Sequence, residues 1–415
     1  MKLRKEQGQL IIFKQWKRNL PKLLLLVPEL GYSPTIYEQA KSVGGRVKTD
    51  IVDGYQLDHG FQVLLDAYPM AKKYLDFETL DLQKFLPGAY IFKNNKSAVI
   101  GDPLRSLGLL FSTLLSNIGS FTDKIKILRL NLTVKQKTNE DIFNEPETST
   151  LVFLKAQGFS EQIIRDFFKP FFSGIFLEPN LETSSRMFQF VYKMFGSGSA
   201  VLPVAGIGAI TEFLSSKLNK TTIEFNSTVV SCTDGSIEFS DGKKIQTDYT
   251  IIATDASPLV PNLRKQKLSW HSSDTLYFTC KTRKIKKPLI GLIADPESLI
   301  NNIFYHTSIN TLNKGDDELL SVTVVKNHFL SEYELIQKVK EDLNTYCDIT
   351  IERYIKHYGI KRALPKLNDF RYTLTPSETR LTERTFLAGD YLLNGSLNSA
   401  MTSGEMAAYG LLEVI

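Results

Sequence analysis

The segment between Gly31 and Gly60 constrains the fold more than any other part of the chain. Pro34-Thr35-Ile36-Tyr37-Glu38 predicts a short buried strand, opened by the turn residues Gly31 and Ser33 and ending in an acid. Ser42-Val43-Gly44-Gly45-Arg46 follows, a loop with adjacent glycines and one guanidinium. Asp53-Gly54 predicts a hairpin turn between Val47–Val52 and Tyr55–Leu57, and Leu57-Asp58-His59-Gly60-Phe61 comes next. A carboxylate at a strand end can accept hydrogen bonds from both hydroxyls of a ribose. Paired glycines before an arginine let backbone amides and a cation approach a pyrophosphate closely.

The rest of the chain is read as elements that could serve such a site. Residues from Met70 to Tyr192 read as mostly helical, and Phe167-Phe168-Lys169-Pro170-Phe171-Phe172 with Phe176 is the densest aromatic run. That run reads as core or pocket wall, with an apolar substrate chamber as the sharper and compatible reading. After Pro203 and Gly206-Ile207-Gly208 a helix is expected to about Leu218, then strands at Thr221–Phe225 and Ser227–Cys232. Asp234-Gly235 and Asp241-Gly242 read as hairpin turns, and Tyr249–Asp255 as a buried strand ending in polar groups. Strands are expected at Thr275–Thr279 and Leu319–Val325, and an amphipathic helix at Glu332–Tyr346. The chain closes with strand Thr385–Ala388, then Gly389-Asp390, the turn Gly395-Ser396 and helix Leu397–Leu412. A strand running into Gly389-Asp390 sets a carboxylate at the sheet's carboxyl edge, and the last helix presents its N-terminal amides there.

Composition narrows the class. With 415 residues, two domains are the default, and a 42% hydrophobic content supplies both with cores. A net charge of +5, scattered along the chain, leaves no basic stripe, so no nucleic-acid partner is expected. Cys232, Cys280 and Cys347 stand alone, which suits buried thiols in a reducing compartment and excludes a zinc ribbon. His271, His306, His328 and His357 show no metal-ligand spacing, and no metal is expected. Lys356, Lys361 and Arg362 read as a solvated face. No segment reaches the roughly 18 apolar residues of a membrane span, so a cytoplasmic protein is expected. Leu104–Phe121 is read as core, with peripheral membrane contact as the alternative.

In this order and spacing the chain resembles the FAD-dependent amine oxidase, phytoene desaturase and protoporphyrinogen oxidase superfamily. The resemblance rests on Tyr37-Glu38 with Val43-Gly44-Gly45-Arg46, Leu57-Asp58-His59-Gly60, Pro203 to Gly208, Thr250–Asp255, and Leu387-Ala388-Gly389-Asp390 through Ser403-Gly404-Glu405-Met406-Ala407-Ala408. It implies an α/β fold: a Rossmann-like FAD-binding domain with a second, mixed α+β substrate-binding domain. The first would be discontinuous, from 1–60, 201–256 and 357–415, and the second would take 61–200 and 257–356. The resemblance further implies that Glu38 holds the adenosine ribose and that Gly44, Gly45 and Arg46 lie along the pyrophosphate. Val230 would offer backbone hydrogen bonds to adenine. Gly389 and Asp390 would meet the ribityl or pyrophosphate portion, and the amides of Leu397 and Asn398 would face the flavin's pyrimidine carbonyl. His59 falls in a motif near the isoalloxazine and reads as structural rather than catalytic; no catalytic residue is assigned.

Two departures matter. Such proteins open with a strand, a GxGxxG loop and a helix about 20 residues before the ribose-binding acid. Here Leu10-Ile11-Ile12-Phe13 can be the strand, but no glycine lies between Gly8 and Gly31. Trp16, Lys17 and Arg18 occupy the tight turn, and Pro28 falls inside the expected helix at a cost of about 3 kcal/mol. One reading is a reading-frame slip, since codons for Trp-Lys-Arg-Asn, read one base later, can encode Gly-Ser-Gly-Ile; the nucleotide sequence decides. The other is a divergent or inactive relative that does not hold FAD. Second, Ser396 stands before the last helix, where amine oxidases commonly place an aromatic. That points away from an amine and toward a bulky apolar molecule such as an isoprenoid or polyene, with electrons passed to oxygen, a quinone or another acceptor. An amine oxidase remains the alternative.

Overall fold

The computed structural model describes residues 9–14, 33–94, 96–101 and 118–415. The glycine-free stretch from Gln15 to Leu30 and most of Leu104–Phe121 therefore lie outside the described residues.

Five parallel strands form the first sheet, in the spatial order Thr222–Glu224, Ser33–Glu38, Gln9–Lys14, Tyr249–Ile252, Thr385–Leu387. Numbered along the chain, that order is 3-2-1-4-5. It reverses between Gln9–Lys14 and Tyr249–Ile252, and such a reversal opens a ligand crevice at the strands' carboxyl ends. Register brings Lys14 opposite Glu38, Phe13 opposite Ile252 and Ile252 opposite Leu387, so Glu38 and the Gly389-Asp390 turn share that edge. A three-stranded antiparallel sheet, Val229–Thr233, Ser236–Phe239 and Lys244–Gln246, stands beside it. Its turns fall at Gly235 and Gly242, both at positive φ, as the Asp-Gly pairs predict.

The second sheet has seven strands, in the order Arg353–Pro365, Trp270–Cys280, Glu318–Val324, Ile300–Tyr305, Ile290–Ile293, Gly88–Lys93, Lys96–Gly101. Two expectations change here. The region 70–192 is not helical throughout, because Leu82–Lys84, Gly88–Lys93 and Lys96–Gly101 are strands. Ala89 and Ile91 are buried on alternate positions, and Asn94 turns the chain at φ 49°, a left-handed conformation that asparagine tolerates. The division at 357 falls inside Arg353–Pro365, which pairs along Trp270–Cys280, so the seven-stranded sheet runs on to Pro365. Likewise 201 falls within Ala200–Pro203, which pairs with Leu64–Leu65 and Leu82–Lys84.

One face of the seven-stranded sheet carries Leu276, Phe278, Leu320, Val322, Val324 and Ile303, packed against Leu335, Val339 and Leu343 of helix Glu332–Cys347. Helices Phe121–Gln136, Asn139–Asn144, Thr150–Ala156, Lys169–Phe176 and Ser185–Ser197 form a further layer. Ser120, Thr138, Ser149 and Ser184 cap four of them through side-chain oxygens. The aromatic run serves as core here: Phe168, Phe172 and Phe176 are fully buried at helical spacing. All three cysteines are buried, and burial pushes each thiol up to about 12. Among the described residues no helix is long and apolar enough to cross a membrane.

The hairpin Thr49–Val52/Tyr55–Asp58 is pinned to the Pro203–Gly208 loop. Thr49 Oγ1 donates to Asp58 Oδ1 at 2.6 Å, and Ile207 N donates to the same oxygen at 3.0 Å. Gly206 sits at φ 86°, and a Cβ there would lie 2.5 Å from Thr49 Oγ1, so only glycine closes this contact. Burial pushes the Asp58 carboxyl from 3.8 up to about 6, against the lowering by Thr49 and Ile207. A raised carboxylate pKa favours the folded state when protonated, so this contribution is complete below pH 4 and is lost as pH rises through 6. Asp58→Asn keeps the oxygen acceptor without the charge. It should stabilise the fold at pH 7 by up to about 3 kcal/mol, read as a higher thermal midpoint, with the difference vanishing below pH 4. Thermal melts of both proteins across pH 4–7 check this.

Candidate functional site

The site assembles where the carboxyl edge of the parallel sheet meets the seven-stranded sheet. Glu38 ends its strand fully buried, and its Oε1 accepts from Ala40 N at 2.8 Å. Ser227 N donates to Glu38 O at 2.9 Å, which brings the antiparallel hairpin beside it. Val230 lies in that hairpin at a β-bulge, 43% exposed. Phe239 of the next strand meets Tyr37 edge-on, with centroids 4.8 Å apart.

Gly44 and Gly45 both adopt positive φ, 122° and 56°. A Cβ on Gly44 would lie 2.5 Å from Val47 O, so the turn closes too tightly there for any side chain. Arg46 leaves this loop to pair with the Asp390 carboxylate through Nη2. Its Nη1 donates to Ala363 O at 2.6 Å, and the guanidinium lies 5.4 Å from the centroid of the Trp270 ring. Gln62 Nε2 donates to Arg46 O and His59 O, at 2.6 and 2.9 Å, tying the glycine loop to the His59-Gly60 turn.

Asp390 is fully buried after Gly389, whose N–H donates to Ser403 Oγ at 2.9 Å. A Cβ at Gly389 would fall 2.2 Å from the Tyr391 ring, so the turn admits glycine alone. Gly395 N returns to Asp390 O at 2.9 Å. Ser396 caps the last helix: its Oγ accepts from Ser399 N at 3.0 Å and donates to Asn394 Oδ1 at 2.7 Å. That capping role is the physical reason for a serine where an aromatic was the comparison. Leu397 and Asn398 open the helix, both buried, and Asn398 Oδ1 accepts from Met70 N at 3.0 Å.

Two cavities meet at Arg46 and His59. The larger, about 930 Å³, runs from Arg46, Gly60, Gly395 and Leu397 to a wall of Phe167, Phe171, Phe172, Phe176, Tyr192 and Phe195. The smaller, about 440 Å³, is bounded by Asp255, Trp270, Tyr358 and Arg362.

The structure thus brings Gly44, Gly45, Arg46, Gly389, Asp390, Leu397 and Asn398 to one place, with Glu38 on the same edge and Val230 on the hairpin beside it. Sequence reading missed Gln62, in the loop after Tyr55–Asp58, and Trp270 and Ala363, in strands of the seven-stranded sheet, which reach Arg46 without any local signal. It also missed the partners of His59, whose Nε2 lies 2.6 Å from Asp50 Oδ2, with Tyr358 OH donating to the same oxygen at 3.0 Å. Burial raises the Asp50 carboxyl, but the His59 and Tyr358 hydrogen bonds outweigh it and hold the group below its ordinary value. His328 and His357 both lie on Asp274, and no group able to hold a metal occurs among the described residues.

The glycine turn at Gly44-Gly45, the cation at Arg46 and the capped helix start beside a deep cavity are compatible with a flavin cofactor. Their roles separate by experiment. Arg46→Met should destabilise the chain by about 3 kcal/mol, because it removes one side of a buried ion pair and leaves the Asp390 charge less well compensated. Adding Asp390→Asn should recover most of that stability, while flavin retained after desalting stays below wild type in both variants. Melting curves and absorbance near 450 nm report the two effects.

No curated protein matches the chain in sequence. The sequence profile described as flavin containing amine oxidoreductase matches residues 28–412. Among solved structures, a putative protoporphyrinogen oxidase from Exiguobacterium sp. 255-15 is 17% identical at TM-score 0.70, covering 98% of this chain and 99% of the other. A putrescine oxidase bound to putrescine is 13% identical at TM-score 0.69, with 98% and 99% covered. A CLA-producing fatty acid isomerase from P. acnes is 14% identical at TM-score 0.70, with 99% of each chain covered. At these identities the structures show a shared two-domain α/β fold. An oxidoreductase of this kind takes a small-molecule substrate and passes electrons to an acceptor. The chain belongs to the flavin-containing amine oxidoreductase family and is a flavin-dependent oxidoreductase.

Proposed function

We propose that the flavin is FAD and that the reaction removes a hydride from a C–H bond of a bulky, largely apolar small molecule. The observation that carries this reading is the 930 Å³ cavity, whose aromatic wall begins beside Leu397 and Gly395. Ligand sites of this size favour apolar linings at domain junctions. In this reading one domain is the parallel sheet with its antiparallel hairpins and last helix; the other is the seven-stranded sheet and the helical layer.

Glu38 would hold the adenosine ribose, and Gly44, Gly45 and Arg46 would follow the pyrophosphate. Val230 would meet adenine through its backbone, and Gly389 and Asp390 the ribityl chain. Leu397 and Asn398 would direct amides at the pyrimidine end, where negative charge collects on reduction. Bound there, the flavin supplies hydride acceptance and return of electrons to oxygen, a quinone or another acceptor. The chain's own work is to orient the substrate and keep water out. Phe167, Phe171 and Phe172 do both, since aromatic side chains bury large areas and hold fixed rotamers.

Putrescine oxidase shares the fold, yet the carboxylates lining the cavity here are already engaged or exposed: Glu147 lies 3.7 Å from Arg186 Nη1, and Glu182 is exposed. Glu178, the cavity's buried carboxylate, already accepts from Asn180 N, Thr183 N and Thr183 Oγ1 within its own turn. The fatty acid isomerase shares the fold too, and a fatty acid fits an aromatic chamber better.

Purified protein should carry flavin absorption bands that survive desalting. Under anaerobic conditions isoprenoids or polyenes should bleach them, and diamines should not. Bleaching by diamines alone returns the amine oxidase reading. A colourless protein that FAD cannot reconstitute returns the inactive-relative reading, with the glycine-free stretch after Phe13 as its cause.

A further inference from the structure

Alternation along a strand sends successive side chains to opposite faces. In the seven-stranded sheet one face is mainly apolar, with Asp274 and His357 paired at its end, and packs on helix Glu332–Cys347. The opposite face carries Ser273, Thr275, Thr323 and Asn302 in the same three central strands, all buried. A sheet buried on both faces ordinarily shows hydrophobic residues on both. The polar face here lines the large cavity, opposite the phenylalanine wall.

Register makes these residues a row. Thr275 lies directly opposite Thr323, and Thr323 opposite Asn302, across three adjacent strands. Directly opposed residues hold their Cβ atoms about 5 Å apart, so the two threonine hydroxyls can converge on one atom. Their hydrogen bonds are incomplete. Thr275 is 0% exposed, and its Oγ1 has no partner among the described residues. Thr323 Oγ1 accepts from Asn302 Nδ2 at 3.3 Å, which leaves its own O–H to donate elsewhere. Asn302 Oδ1 is occupied by Asn301 Nδ2 at 2.9 Å, and Asn301 Nδ2 also donates to Pro170 O at 3.0 Å, fixing the row to helix Lys169–Phe176. A buried hydroxyl without a partner costs about 1–3 kcal/mol, so the row is built for something that enters the cavity. It lies close to the flavin end: a Cβ placed on Gly60 would be 3.9 Å from Thr275 Oγ1.

We propose that Thr275 and Thr323, held by Asn302, form a hydrogen-bonding subsite for one neutral carbonyl or hydroxyl oxygen on an otherwise apolar substrate. The row presents two donors and no charge, so it suits an oxygen acceptor and leaves an ammonium uncompensated. His271, on the same strand and also lining the cavity, adds no charge at neutral pH, because burial and then Lys366 lower it to about 4. The substrate class narrows to oxygenated apolar molecules rather than plain hydrocarbons. This rests on the cavity being the substrate chamber.

The test uses 2-nonanone, 1-nonene and nonylamine with the purified protein, free ligand being read by headspace analysis. Binding is referred to each compound's own partition between water and hexadecane. The ketone should be held at least about tenfold better than the alkene on that scale. Thr275→Val and Thr323→Val should each cut this ratio several-fold and leave nonene binding unchanged. Equal ratios in wild type, a ratio that survives both substitutions, or tighter binding of nonylamine would overturn the subsite, leaving the row to buried water. If neither ketone nor alkene binds, the chamber reading fails and the subsite with it. Should the variants not fold, the wild-type ratio alone decides.

Discussion

Arg46 and Asp390 meet across 344 residues of chain, and that ion pair is the contact on which the site depends. Asp390 is buried and Arg46 nearly so, which makes the pair costly to form and costlier to break on one side. Evolutionarily neutral repacking would replace such a pair with apolar side chains. Its presence is better explained by what each partner positions. Arg46 is held at a cation-accepting carbonyl, Ala363 O, and near the Trp270 ring, so the pair draws the glycine loop, the last strand turn and the seven-stranded sheet to one point. The two cavities share this point.

Topology explains why a pair so distant in sequence can form at all. In a 3-2-1-4-5 parallel sheet the second and fifth strands end on one edge, whatever lies between them in the chain. The connection between the second strand and the third spans more than 180 residues and holds the helical layer and two strands of the other sheet. The connection between the fourth and fifth holds the rest of that sheet. Two insertions leaving the same edge must pack against each other above it, and their junction is the cavity.

Much of this was legible in the residues, and the boundary of legibility is physical. Glycines at Gly44, Gly389 and Gly395 stand where backbone must approach closely, and Asp-Gly pairs mark hairpins, so local chemistry announces itself. Ser and Thr caps announce the helices in the same way. The hairpin Gly88–Lys93/Lys96–Gly101 was missed because it joins the sheet through the pairing of Gly88–Lys93 with Ile290–Ile293, some 200 residues away. Trp270 and Ala363 were missed for the same reason, since a residue that reaches Arg46 by cross-strand register leaves no trace in its own neighbourhood. The aromatic run around Phe172 was ambiguous between core and pocket because helical spacing allows both, and both are found: Phe168 faces the core while Phe167 and Phe171 face the cavity.

The same reasoning accounts for the polar row. Thr275, Thr323 and Asn302 are individually ordinary strand residues, threonine being favoured in strands for its branched Cβ. They acquire meaning only when antiparallel register sets them side by side and the helical layer covers them without pairing their hydroxyls. A buried sheet face can be apolar at no cost, and the companion face of this sheet is largely so, its Asp274 being paired with His357. That the cavity face departs from this pattern at three positions in register, beside Gly60 and opposite the phenylalanine wall, means the departure is set by the contents of the cavity rather than by the stability of the sheet.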